Sequence, residues 1–283
     1  MKKFFCIIVS LLMFGNSTNV NAQRVFDVHI HGDSDVSRQI SQLKAAGVYK
    51  TAVSTSWRLQ KSYQSKPGLA ILQGLMLACP NGKVPYSNEF CFEDQKDLPD
   101  LKWVEEQIQE KKIDFMGEVL SQYDGISSSD KRLFPFYALA EKYGLPVGIH
   151  TGLAGPDHGS PNFKVALGSP MLMEEMLQKF PRLKVWIMHS GAPYIEDTLA
   201  IMNYYRNVYA DISAISNPDI FPSVEFHSIM KRLIDAGLEN RLMFGSDNGD
   251  ISEIIANLND LDFLSGEQKE KIFYRNAEKL FGK

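Results

Sequence analysis

Four histidines stand at the ends of short apolar runs: His29 and His31 in FDVHIHG, His150 in PVGIHTG and His189 in VWIMHSG. Asp247 closes a similar run, LMFGSD, and Glu118 closes another, DFMGEV. Imidazole and carboxylate are the donors that zinc and related divalent ions take. The six residues are spread from position 29 to position 247, so any site they make is assembled by folding rather than carried on a local motif. Any one histidine alone would read as a satisfied core or surface residue. Five separate runs ending in the same chemistry read as a metal centre. Two weaker candidates for substrate contact are Arg58, which follows the second run and could hold a carboxylate bidentately, and His158 in the loop GLAGPDHGSPNF. The competing readings are a plain surface arginine and a solvated loop histidine.

The runs that end in these residues alternate with helical patterns. The spacing predicts strands over 26–30, 49–54, 71–78, 113–119, 145–150, 183–189, 208–212 and 242–245, with helices over 36–46, 101–112, 130–143, 171–180, 195–205, 224–236, 251–258 and 267–281. Eight strands alternating with helices predict a (β/α)8 TIM barrel, an α/β fold whose chemistry sits at the carboxyl-terminal ends of the strands. Strict alternation along a strand sends Phe26, Val28 and Ile30 toward the helices and Asp27, His29 and His31 into the barrel. The same rule sends Val147, Ile149, Trp186 and Met188 outward, and His150 and His189 inward. Imidazoles turned inward are costly unless something satisfies them. An open doubly wound sheet is the alternative, but no Gly-rich phosphate loop follows the first strand. No GxSxG segment offers a serine nucleophile.

The start of the chain reads as a secretory leader: Lys2 and Lys3, an apolar run from Phe4 to Gly15, and the small-residue pattern VNA ending at Ala22. The expectation is a signal peptide over 1–22 and one barrel domain over 23–283, a length that suits a barrel of about 250 residues. That places the protein in the periplasm or outside the cell, with no membrane attachment after cleavage, since the apolar run is too short to span. The net charge of −4 becomes more negative once the two lysines leave, which argues against nucleic acid as a partner. The expected partner is a small-molecule substrate; a homo-oligomer is compatible with the sequence. Cys79 and Cys91 remain after cleavage, in one irregular stretch, and read equally as a loop-closing disulfide or as two free thiols.

His29-x-His31, Glu118, His150, His189 and Asp247 together resemble the metal-ligand set of the amidohydrolase superfamily. The phrases LPVGIHTG, VWIMHSGAP, NVYADIS, RLMFGSD and NAEKLFG resemble its amidohydrolase-related branch of hydrolases, lactonases and non-oxidative decarboxylases. The resemblance runs from Val25 to Lys283. It implies a barrel with a divalent ion, commonly zinc. His29, His31, His150 and Asp247 correspond to primary ligands. His189 corresponds to a second-metal ligand or a catalytic histidine, and Glu118 to a bridging position used by binuclear members, so one or two ions are expected. The activity implied first is metal-dependent hydrolysis of an ester, lactone or amide; the alternative is decarboxylation of an aromatic or unsaturated acid in the same site. A non-catalytic carbohydrate- or metal-binding protein is disfavoured by Asp247, because a binder needs no proton shuttle.

Overall fold

The computed structural model describes residues 23–87, 89–153 and 158–282. The expected leader over 1–22 lies outside the described residues. Eight parallel strands pair in chain order: β1 (Val25–His31), β2 (Val48–Thr55), β3 (Ala70–Leu77), β4 (Phe115–Val119), β5 (Val147–Ile149), β6 (Val185–Ile187), β7 (Val208–Asp211) and β8 (Leu242–Met243). Val28 N donates to Phe244 O at 3.0 Å and Asp247 N donates to His29 O at 2.8 Å, which joins the last strand's end back to the first. The expected (β/α)8 barrel is therefore present. No helix among the described residues is long and apolar enough to cross a membrane.

The helices are α1 (Val36–Ala45), α2 (Trp57–Gln60), α3 (Leu101–Gln109), α4 (Ser121–Asp124), α5 (Phe134–Tyr143), α6 (Glu174–Lys179), α7 (Ile195–Tyr204), α8 (Ser223–Asp235), α9 (Ile251–Asn259), α10 (Gly266–Glu270) and α11 (Asn276–Phe281). Their starts follow ordinary capping chemistry: Asp35, Asp100 and Asp250 each accept backbone N–H bonds at the heads of α1, α3 and α9. The short α2 and α4 lie inside stretches whose polar composition reads as loop. Between α10 and α11 a π-turn over Lys271–Arg275 interrupts what the periodicity presents as one helix.

Two apolar layers result. The larger one lies between strands and helices, where Val53, Leu75, Met116, Val147, Ile149, Val185 and Ile187 meet Leu43, Val104, Tyr137 and Met176. The smaller one fills the barrel floor. There Phe281 meets Phe26, Phe115 and Trp186 with ring centroids 5.3, 5.7 and 5.5 Å apart. Glycines make room for it: a Cβ on Gly148 would lie 2.3 Å from the Trp186 ring, and one on Gly74 would lie 2.3 Å from Phe115.

This floor corrects the simple alternation. Phe26, Val28, Trp186 and Met188 pack inside the barrel rather than against the helices. Two local departures from the pleat allow histidines to point inward as well. Pairing of β1 with β2 shifts register between Asp27 and Ile30, and an irregularity of that kind lets successive residues escape strict alternation. After β6, Trp186 and Met188 keep the inward parity, and His189 then takes left-handed backbone (φ 58°), which redirects its side chain.

The irregular stretch after β3 is closed by a Cys79–Cys91 disulfide. Trp57 N donates to Cys91 O at 2.9 Å, so the closed loop is tied to the head of α2.

Candidate metal centre

The rim of the barrel gathers the six residues. His29, His31, Glu118, His150 and His189 are buried, and Asp247 keeps about 20% of its side chain exposed. His31 Nε2 lies 3.0 Å from Asp247 Oδ1 and 3.6 Å from Glu118 Oε2; His29 Nε2 lies 3.7 Å from Asp247 Oδ1. The imidazole rings form a chain, with His29 5.1 Å from His31 and 5.0 Å from His189, and His189 5.0 Å from His150. Donor atoms come within 4.8 Å of one another in three overlapping groups: His29, His189 and Asp247; His29, His31 and Glu118; Glu118, His150 and His189. Glu118 is common to two of them.

The other ring nitrogens are held from behind, and this fixes which nitrogen faces the centre. Asp211 ends β7, buried, and its carboxylate can only accept. His29 Nδ1 lies 3.1 Å from Asp211 Oδ2, so it is the protonated nitrogen and Nε2 carries the lone pair. Ser213 Oγ donates to Asp211 Oδ1 at 2.5 Å and accepts from His189 Nδ1 at 2.9 Å, which leaves His189 Nε2 in the same state. Gln122 Nε2 donates to Gly152 O at 3.0 Å, so its Oε1 accepts from His150 Nδ1 at 3.0 Å. Three imidazoles from three strands thus present Nε2 lone pairs, the pattern a metal-binding histidine needs. His31 is oriented differently: its backbone N–H donates to Asn248 Oδ1 at 3.0 Å, and its ring Nδ1 has no partner.

Electrostatics point the same way. His29 Nε2 is a buried ring nitrogen with no hydrogen-bond partner, a group that costs free energy unless something binds it. Burial opposes a charge on His29, yet the Asp211 and Asp247 carboxylates outweigh it and push its pKa up to about 10. The site therefore favours positive charge at its centre. Burial would raise Asp247, but the His29 and His31 imidazoles hold it well below the usual carboxylate range. Burial, reinforced by His189, keeps His150 well below the usual imidazole value and so neutral. The donor set, the orphaned nitrogen and the local field all fit a divalent cation held by His29, His31, Glu118, His150, His189 and Asp247.

The polar groups that hold these donors are the part sequence reasoning missed. Asp211 receives five donors: His29 Nδ1, Trp186 Nε1 at 3.2 Å, Ser213 Oγ, and the backbone N–H groups of His189 and Ser213 at 2.9 and 3.1 Å. Its signal is present in NVYADIS, an acid closing an apolar run like Asp247 does. Asp27, fully buried, accepts from Ser246 Oγ at 2.6 Å and from the backbone N–H groups of His29 and Ser246, tying β1 to the Asp247 loop. An Asp211→Asn protein is expected to fold and to bind zinc about 10- to 100-fold more weakly, because one amide NH2 then faces donors. Competitive titration against a chromophoric chelator measures this; unchanged affinity would remove Asp211 from the centre.

The centre opens into a cavity of about 580 Å³ lined by five of the six donors together with Tyr86, Tyr123, His158, Asp33, Glu89 and Asn248. Tyr86 lies over His31 with centroids 4.2 Å apart, and Tyr123 OH is 3.3 Å from His150 Nε2. His158 stands at the mouth, 6.0 and 5.9 Å from the Tyr86 and Tyr123 rings. Arg58 does not line the cavity: it is exposed on α2 and ion-paired with Glu89, which does.

A family profile described as Amidohydrolase matches residues 97–283. No curated protein matches the chain. Among solved structures, a 2,6-dihydroxybenzoate decarboxylase from Rhizobium is similar at 12% identity and a TM-score of 0.61, covering 92% of this chain and 98% of its own. A probable 2-pyrone-4,6-dicarboxylic acid hydrolase from Acinetobacter baumannii is similar at 13% identity and a TM-score of 0.62, covering 92% and 100%. A dihydroorotase from Campylobacter jejuni is similar at 18% identity and a TM-score of 0.60, covering 91% and 83%. At these identities the likeness shows the barrel and carries nothing about the reaction.

Proposed function

Because the chain belongs to the amidohydrolase family, we propose that this enzyme is a metal-dependent hydrolase that opens an ester, lactone or amide bond of a small molecule with water. The observation that carries the reading is the place of Glu118: one buried carboxylate shared by two overlapping donor groups supports a centre of two ions, and the histidine-rich donors suit zinc. A divalent ion bound there would supply the acidity that makes water a nucleophile near neutral pH.

The chain's own residues supply the rest. Of the two donor-set carboxylates that line the cavity, Asp247 is the more exposed, and its depressed pKa keeps it ionised and able to accept a proton. It takes a proton from water and passes it to the leaving group. His189, anchored through Nδ1 on Ser213, offers its Nε2 lone pair to an ion; in the imidazolium form the same nitrogen would donate its N–H to the scissile carbonyl oxygen. Tyr86 and Tyr123 wall the cavity above the donors and position the substrate. The Cys79–Cys91 disulfide supports the reading that the leader over 1–22 exports the protein, since disulfides persist in oxidising compartments.

Decarboxylation of an aromatic or unsaturated acid is the second reading, because similar barrels are named as decarboxylases. A panel of lactones, esters, amides and hydroxybenzoates, offered to the zinc-loaded protein, separates the two. Hydrolysis without carbon dioxide is the expected result; carbon dioxide from a hydroxybenzoate, with no hydrolysis, reverses the assignment.

A further inference from the structure

The cavity has a charge asymmetry that the metal donors do not account for. Among the described residues lining it there is no lysine or arginine, while two carboxylates outside the donor set, Asp33 and Glu89, face into it. Each is held by an arginine on its outer side. Arg38 Nη2 lies 2.7 Å from Asp33 Oδ2, and Arg58 pairs with Glu89. The arginine side chains are 58% and 73% exposed and the acidic ones only 27% and 32%, and of each pair only the acid lines the cavity. The positions are braced. Ser56 Oγ donates to Glu89 across the head of α2, Val84 N donates to Glu89 O at 3.0 Å, and the disulfide closes that loop. Asp33 N donates to the hydroxyl of the buried Tyr63 at 2.7 Å.

We infer that Asp33 and Glu89 form an acidic collar that admits uncharged substrates and expels the carboxylate product. This rests on the hydrolytic reading. Hydrolysis breaks the bond from the acyl carbon to its leaving oxygen or nitrogen and forms one to the water oxygen. The new carboxylic acid releases its proton at neutral pH, so a neutral molecule enters and an anion leaves. A collar of carboxylates favours both passages. Decarboxylation reverses the charges, and the collar would oppose entry. Glu89 is on this account a specificity-determining residue.

The test compares two nearly isosteric esters, 4-nitrophenyl butyrate and mono-4-nitrophenyl succinate, with the zinc-loaded protein at low salt. The expected ratio of kcat/KM, neutral over anionic, is on the order of tenfold in the wild type. Glu89→Gln is expected to lower that ratio about threefold, and Arg58→Ala, which uncovers the carboxylate, to raise it about threefold. General damage to the loop would move both variants the same way. A wild-type preference for the succinate ester, or variants that leave the ratio alone or shift it together, would overturn the collar. If the whole substrate panel goes uncleaved, the hydrolytic reading fails on its own. The collar is then decided by calorimetric binding of benzoate: tighter in Glu89→Gln than in wild type and Arg58→Ala sustains it, and equal affinity in all three overturns it.

Discussion

An Asp247→Asn protein is expected to fold, to retain zinc, and to lose about 10³-fold in turnover, within the range a positioned general base supplies. The two roles assigned to Asp247 separate in this one variant. Asparagine keeps an oxygen donor of the same reach, so ligation through that atom survives, whereas an amide cannot take a proton from water. The surroundings of Asp247 make the substitution mild for the fold: its backbone N–H still donates to His29 O at 2.8 Å, and the side chain keeps contact with the cavity. Single-turnover assays alongside zinc analysis read both properties. Loss of zinc and turnover together would reduce Asp247 to a ligand. Turnover unchanged with zinc in place would hand the proton to another group, and Glu118 is the remaining carboxylate among the donors.

The variant also bears on His189. If His189 and Asp247 act on opposite sides of the reacting carbonyl, their losses are not additive, because residues that act as a unit fail together. With Nδ1 as the donor to Ser213, the Nε2 lone pair suits ligation of an ion, and the electrophilic role requires Nε2 to carry a proton as well. Its Nδ1 is bound to Ser213 and its backbone N–H to Asp211, which fixes the direction in which Nε2 points.

Much of this centre was legible in the chain because a parallel barrel converts sequence position into spatial position. A residue at the end of an apolar strand arrives at the rim, whatever strand it ends. That one rule gathers His29, His31, Glu118, His150, His189 and Asp247. What the rule does not contain is the shape of the backbone at those ends. Trp186 and Met188 alternate inward with the floor of the barrel, and His189 joins the centre only because its backbone turns left-handed. Period-two reasoning carries no information about such a turn. The supporting polar groups were hidden for a different reason. Gln122 and Ser213 are ordinary loop residues by type, and their meaning comes from which imidazole they touch. Asp211 was the exception, an acid at a strand end with the same signature as Asp247. Arg58 illustrates the limit from the other side: a cation near the rim has no bearing on substrate until the partner that holds it, Glu89, is known.

Stripping the ion is expected to abolish turnover and to lower the temperature of unfolding by several degrees. An ion that binds the folded chain and not the unfolded one adds RT ln(1 + [L]/Kd), about 4 kcal/mol at a thousandfold excess over Kd. The unfolded chain cannot match this affinity, because the donors lie on strands from β1 to the end of β8 and meet only in the closed barrel. The apo centre also retains liabilities that the ion relieves. His29 Nε2 has no partner, and the carboxylates of Glu118 and Asp247 both crowd His31 Nε2, at 3.6 and 3.0 Å. Part of the lost stability returns by protonation, since His29 takes a proton readily in that field. The sign follows from linkage. A raised folded-state pKa makes the apo protein's gain from His29 complete below the ordinary imidazole value and loses it as pH rises toward about 10. The stability gap between holo and apo protein should therefore widen from pH 6 to pH 9, as protons cease to substitute for the cation. Thermal unfolding of both forms across that range measures it. A gap that stays constant would mean that no proton replaces the ion at His29, and a chelated protein with full turnover would end the metal-dependent reading altogether.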